Sequence, residues 1–270
     1  MTEAQNRIDR RFAELRGEGR KALVTYVVAG DGGVENTVDL MHQLVASGSD
    51  LIELGVPFSD PMAEGPVIQK GHERALANKA SLRKCLAMVK EFRTRDADTP
   101  VILMGYANPI EKMGAEAFAD GLKEAGADGA LTVDLPAEEA GPLNTLLNAR
   151  NLRNIFLLTP TTSDARIKQI TELASGFVYY VSLKGVTGAG HLDLESVRDN
   201  LARIRRHTDL PLCVGFGIKD GASAKAVSAD GDGAVVGSVL VSAVGGAADI
   251  AEAKARIGEL VQEMRSALDR

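Results

Sequence analysis

Residues 51–69 read LIELGVPFSDPMAEGPVIQ. The first five, LIELG, have the length and apolar character of a buried strand, yet Glu53 stands at their centre. A lone buried charge is costly unless it is paired or neutralised. The run then breaks at Gly55 and Pro57 into a loop carrying Ser59, Asp60 and Glu64. A carboxylate whose pKa rises on burial exchanges a proton near neutrality, whereas a structural Glu paired with a basic neighbour fits the same spacing equally well. Strand alternation puts Leu51, Glu53 and Gly55 on one side and Ile52 and Leu54 on the other. If Ile52 and Leu54 pack on helices, Glu53 points into the mouth of a barrel.

The pattern around this stretch repeats. ALVTYVVAG (22–30) is a continuous apolar run rich in β-branched residues, as a parallel strand buried on both faces requires. Further strand-like runs are VILMGYANP (101–109), GALTVDLP (129–136), NIFLLTP (154–160), GFVYYVSL (176–183), LPLCVGFGI (210–218) and GAVVGS (233–238). Helical periods cover 38–45, 81–93, 112–125, 137–149, 163–174, 194–206 and 221–228. One more helix precedes the first strand, with Ile8, Phe12 and Leu15 in register. Another ends the chain, with Ile250, Ile257, Leu260, Val261, Met264 and Leu268 on one face. Strand–helix units recurring about every 30 residues are βαβ units. The predicted fold is α/β, a single (β/α)8 TIM barrel with an extra N-terminal helix, residues 1–270 forming one domain. An open doubly wound sheet is the alternative, but it would leave the apolar first and last strands on exposed edges.

The bulk numbers agree. A chain of 270 residues suits one such barrel, and 45% hydrophobic with 25% charged residues is an ordinary globular composition. A net charge of −6 and a pI near 5.4 offer no basic surface for nucleic acid, while leaving room for a local anion site. Cys85 and Cys213 lie in apolar patterns without metal spacing and read as buried free thiols of a reducing compartment. The N-terminus lacks the apolar core of a signal peptide, and Ala234–Ala248 is too short and glycine-rich to span a bilayer. A cytoplasmic protein with no membrane or nucleic-acid partner is expected. The histidines form no metal-binding cluster, and His42 and His72 read as helix-surface residues.

In a barrel of this kind the chemistry lies at the C-terminal ends of the strands. The polar exceptions there are Tyr26, Glu53, Tyr106, Asn108, Asp134, Tyr179 and Ser182. Asp134 is either catalytic or a carboxylate holding a neighbouring loop. SLKGVTGAGH (182–191) is a glycine-rich segment that serves as a lid or as a plain flexible loop. GFGI (215–218) and VVGS (235–238), the latter followed by the helix-like VLVSAV, end the last two strands. Backbone donors at Gly217, Gly237 and Ser238 suit a phosphate, with tight packing of the glycines as the alternative.

Together ELGVPFSDPMAEGPVIQ, YANPI (106–110), VDLP (133–136), KGVTG (184–188), GFGI and VGS (236–238) resemble the tryptophan synthase alpha-subunit family along essentially the whole chain. The resemblance implies cleavage of indole-3-glycerol phosphate to indole and glyceraldehyde 3-phosphate. It also implies a beta-subunit partner in an alpha2beta2 heterotetramer, where pyridoxal phosphate joins indole to serine; no cofactor is implied in this chain. Glu53 matches the family's proton donor to indole C3. Glu64 falls where the family usually has Asp, the carboxylate at the indole N–H, and its extra methylene moves that group by roughly 1–1.5 Å. Tyr179 matches an active-site Tyr, Tyr26 an indole-pocket aromatic, and Thr187 the Thr of the closing loop. Gly188, Gly217, Gly237 and Ser238 match phosphate ligands, and Asp60 a residue linked to communication with the beta subunit. Leu183 departs from the Arg that many members carry. Two alternatives stay open: a catalytically weak allosteric subunit activating a beta partner, and a free-standing indole-releasing lyase. Another phosphosugar barrel is a third, though no Lys stands at a strand end as a Schiff-base aldolase requires.

Overall fold

The computed structural model describes residues 5–182, 194–215 and 217–270. Within them β1 (Ala22–Val28), β2 (Leu51–Gly55), β3 (Val101–Gly105), β4 (Gly129–Thr132), β5 (Arg153–Leu158), β6 (Val178–Val181), β7 (Leu212–Gly215) and β8 (Gly233–Val236) pair in parallel and in chain order. β8 pairs back onto β1, closing the barrel. The helices are α1 (Arg7–Gly17), α2 (Thr37–Ala46), α3 (Pro66–Ala77), α4 (Leu82–Phe92), α5 (Ala107–Met113) and α6 (Ala115–Ala125). They continue with α7 (Gly141–Asn148), α8 (Asp164–Leu173), α9 (Leu194–Arg205), α10 (Gly221–Ser228), α11 (Ser238–Gly245) and α12 (Ile250–Leu268). This is the TIM barrel expected, and among the described residues no helix is long and apolar enough to cross a membrane.

Strand alternation sorts the core into two parts. Leu23, Ile52, Leu54, Leu103 and Val214 face outward and pack with the helices. Leu51, Ile102, Leu131, Ile155 and Cys213 face inward and fill the barrel, where they meet Ile8, Phe12 and Leu15 of α1. The extra N-terminal helix is therefore a plug that closes the N-terminal end of the barrel. Asn6 caps α1 by accepting from the Ile8 N–H, and its amide donates to the carbonyls of Asp128 and Asn151. Asp128 is buried and accepts from Arg7 (2.9 Å), Arg93 (2.8 Å) and the Val101 N–H (2.8 Å). One carboxylate thus binds the plug, the end of α4 and the start of β3.

Three differences from the reading of the sequence bear on the site. β3 ends at Gly105 rather than running to residue 109, and α5 begins at Ala107, so Asn108 is helical. Asp134 is the cause: its Oδ1 accepts the Ala107 N–H at 2.7 Å, and Pro109 fits a first helical turn whose N–H groups have no partner within the helix. β4 ends at Thr132, which leaves Asp134 exposed in a loop as a carboxylate that holds its neighbour. α3, unmarked by an apolar period, buries Gly71, His72 and Ala75. The Gly71 position is tight, since a Cβ there would stand 2.8 Å from Val241 Cγ1 of α11.

Replacing Asp128 by Ala takes from the largely buried Arg93 its hydrogen-bonded carboxylate and leaves, among the described residues, only Asp96, at 3.9 Å. Urea unfolding should register a loss of about 3–5 kcal/mol; a loss below about 1 kcal/mol would show that the clamp does not secure the plug.

Candidate active site

Glu53 sits at the middle of β2, in register with Tyr26 of β1 and Ile102 of β3. Its side chain is fully buried, and neither carboxylate oxygen has a hydrogen-bond partner among the described residues. Burial alone pushes its pKa up from 4.5 to about 8. No ion pair of the structural kind holds it, so the paired-Glu reading does not apply among the described residues.

Tyrosines line the wall around it. The Tyr26 ring lies across Gly55 and the Tyr179 ring across Gly215, so a Cβ at either glycine would collide with the phenol hydroxyl. Burial raises both hydroxyls well above the ordinary tyrosine range. The negative fields of Glu64 and Glu53 add to this at Tyr26, and those of Glu53 and then Cys213 at Tyr179. Tyr106 anchors the loop after β2: its hydroxyl accepts the Ala63 N–H at 3.2 Å and its ring stacks on Phe58 at 5.1 Å. Burial first, and Glu64 second, push its hydroxyl up to about 12.

Glu64 turns back into this mouth, its side chain 7% exposed, with Oε2 2.8 Å from His72 Nε2. Among the described residues no donor reaches Oε2 in good hydrogen-bond alignment, so the carboxylate lies close against the imidazole edge without an aligned hydrogen bond. His72 is buried, which corrects its assignment to a helix surface. Its Nδ1 accepts the Phe58 N–H at 3.0 Å, placing the ring proton on Nε2, which also lies 3.3 Å from the Tyr26 hydroxyl. Sequence reasoning missed this residue because a polar residue in a helix of weak apolar period reads as solvent-facing. Its spacing of eight residues from Glu64, across a Pro at the helix start, was the one available signal.

The remaining candidates fall in separate places. Asp60 is exposed at the loop tip and accepts from the Ser59 hydroxyl at 2.5 Å, beside Met62, which is 84% exposed. Ser182 is buried and spends its hydroxyl on the Gly215 carbonyl at 3.1 Å. Gly217 has φ +76, a conformation that favours glycine. Gly237 caps α11, Ser238 begins it, and no side chain among the described residues caps that N-terminus. Gly237 also adjoins the Tyr26 wall, a Cβ there lying 3.3 Å from Tyr26 Cδ1. Leu183, Lys184, Thr187, Gly188, His191 and Phe216 lie outside the described residues. His42 is remote from the mouth, partly exposed and stacked on Phe92 at 4.6 Å.

A closed parallel barrel whose mouth holds a buried carboxylate unpaired among the described residues, a second carboxylate and three tyrosines has the makeup of a (β/α)8-barrel enzyme with an acid–base site. A family profile described as tryptophan synthase alpha chain matches residues 12–269. The tryptophan synthase alpha chain of Thioalkalivibrio sulfidiphilus is 58% identical over 265 residues, covering 98% of this chain and all of that one. That of Thiobacillus denitrificans is 52% identical, covering 98% and 96%. The crystal structure of tryptophan synthase subunit alpha from Legionella pneumophila superposes with a TM-score of 0.91 at 45% identity, covering 98% and 99%. The chain belongs to the tryptophan synthase alpha chain family. Membership makes it a lyase of tryptophan biosynthesis and implies a beta-subunit partner.

The state of Glu53 has a consequence for stability. Its folded pKa stands above its unfolded one, so between pH 4.5 and about 8 the folded protein holds a proton that the unfolded chain releases. The stability this group supports is complete below 4.5 and is lost as pH rises through about 8. Glu53→Gln removes that dependence. Denaturant unfolding should show the variant gaining on wild type by roughly 3–5 kcal/mol across this window and levelling off above it. Parallel pH profiles would mean that Glu53 ionises normally in the folded protein.

Proposed function

We propose that this chain cleaves indole-3-glycerol phosphate to indole and glyceraldehyde 3-phosphate, with Glu53 as the acid–base residue and Glu64 as its partner. The observation that carries the reading is the fully buried Glu53, unpaired among the described residues, with its pKa raised to about 8. Indole C3 is a weak carbon base, and only an acid still protonated near neutrality and close to the operating pH protonates it efficiently. Glu53 delivers its proton to C3 while Glu64 stabilises the positive charge that develops at the indole N–H. The glycerol hydroxyl next to the scissile bond then gives up its proton to Glu53. Its carbon becomes the aldehyde carbonyl as the C–C bond breaks, and the bonding electrons return to the indole ring.

Tyr26 forms a wall of the indole pocket, and Tyr179 packs beside the acid. The phosphate binds backbone donors at Gly217, Gly237 and Ser238, where the α11 N-terminus adds its dipole, and at Gly188. Thr187 closes over the second carboxylate. Residues 1–270 act as one domain. In the proposed alpha2beta2 complex Asp60, beside the exposed Met62, faces the beta subunit, which receives indole and supplies the pyridoxal phosphate.

Indole release from indole-3-glycerol phosphate tests this with and without a beta subunit. Wild type turns over, the beta subunit accelerates it, and Glu53→Gln abolishes it in both conditions. Turnover surviving in Glu53→Gln would remove Glu53 as the acid. Silence of wild type in both conditions, with recovery in Glu64→Asp, would identify a decayed regulatory subunit instead. Because the acid must be protonated in the free enzyme, kcat/KM should fall as pH rises through about 8; a flat profile to pH ~9.5 would contradict the assignment.

A further inference from the structure

The geometry points to His72 as a positioning residue that aims the Glu64 carboxylate and so accommodates the longer side chain at this position. The inference rests on the proposed role of Glu64 and names the group through which that role is met.

Glu64 needs such a partner. Its carboxylate stands one methylene further from the backbone than an Asp would put it, and it has one more rotatable bond. Misplacement by about 1 Å at a reacting centre can cost about 10²-fold in rate. The chain holds Glu64 at both ends. Gln69 Nε2 donates to its backbone carbonyl at 2.8 Å, and His72 Nε2 stands 2.8 Å from its Oε2. Both partners come from α3, the helix that the loop itself leads into.

α3 is a firm base for this. Gly71 lets it press against Val241 of α11 and Val28 of β1, where any Cβ would collide. Arg74 grips Asp31 through two hydrogen bonds of 2.7 and 2.8 Å, and Asn78 donates to the Gly30 carbonyl at 2.9 Å. His72 itself is oriented by the Phe58 N–H on Nδ1, which sets Nε2 2.8 Å from Glu64 Oε2 and 3.3 Å from the Tyr26 hydroxyl. One imidazole therefore joins the start of the β2–α3 loop, the second carboxylate and the pocket wall. A side chain on a packed helix positions a loop carboxylate more closely than the loop alone.

Two substitutions separate aiming of Glu64 from simple support of the loop. Gln at 72 places an amide N–H near the former Nε2, toward Glu64, and has no group at the Phe58 N–H. Asn places an amide near the former Nδ1, toward Phe58, and cannot reach Glu64. We expect His72→Leu, assayed for indole release with the beta subunit present, to lower kcat/KM by about 10- to 100-fold, chiefly in kcat. His72→Gln should recover most of that loss and His72→Asn should not. In a Glu64→Gln background, His72→Leu should add less than about 3-fold, since residues acting through one another are not additive. Rescue by Asn rather than Gln, or an undiminished effect in the Glu64→Gln background, would reduce His72 to loop support and overturn the inference. Wild-type kcat/KM in Glu64→Gln alone would instead overturn the underlying role of Glu64. Should His72→Leu fail to fold, the Gln and Asn variants carry the comparison by themselves.

Discussion

The mouth of this barrel is organised by the burial of Glu53, fixed on β2 with neither carboxylate oxygen paired among the described residues. An acid kept neutral by desolvation needs neighbours that neither hydrate it nor present a cation. Tyr26 and Tyr179 meet that need: each offers a large apolar ring, and Gly55 and Gly215 give those rings room. The same neutrality allows a second carboxylate nearby. Two ionised carboxylates in one mouth would repel, and the proton that burial keeps on Glu53 removes that repulsion. Glu64 stands with Oε2 2.8 Å from His72 Nε2, while Glu53 stands among rings.

Rigidity comes from the other end and from one flank. α1 plugs the N-terminal end with Ile8, Phe12 and Leu15, and Asp128 ties that plug to α4 and β3 through buried charge-assisted bonds. At the flank, α3 is pressed against α11 and β1 by Gly71 and held by the Arg74–Asp31 pair. The loop between β2 and α3 is longer than the strand it follows, yet it is held by Phe58, Ala63 and Glu64. A loop tethered at these points delivers a carboxylate to a defined place; a free one would not.

The fold was legible because parallel strands buried on both faces leave continuous apolar runs, as ALVTYVV does, and because their regular alternation with helices admits few topologies. The inward aim of Glu53 followed from period two alone, with Ile52 and Leu54 on the helix side as expected. What the sequence hid was packing that uses small or polar residues. α3 faces the barrel with Gly71, His72 and Ala75, so no apolar stripe announces it, and its histidine passes for a surface residue. The end of β3 was obscured by Tyr106, whose aromatic character extends a strand pattern, while the deciding contact, Asp134 to the Ala107 N–H, joins residues far apart in the chain. Carboxylate partners set by tertiary contact leave no local mark. Family resemblance supplied the roles of Glu64 and Tyr179, which spacing alone did not separate from structural uses.

The central claim is that Glu53 is a protonated acid at neutral pH because the fold keeps water and counter-charge away from it. Infrared difference spectroscopy between wild type and Glu53→Gln, followed through a pH titration, tests this without depending on turnover. The account predicts a protonated carboxyl band in wild type at neutral pH that disappears with a midpoint near 8. A carboxylate signal already complete at neutral pH, with a midpoint in the ordinary range of about 4–5, would contradict it.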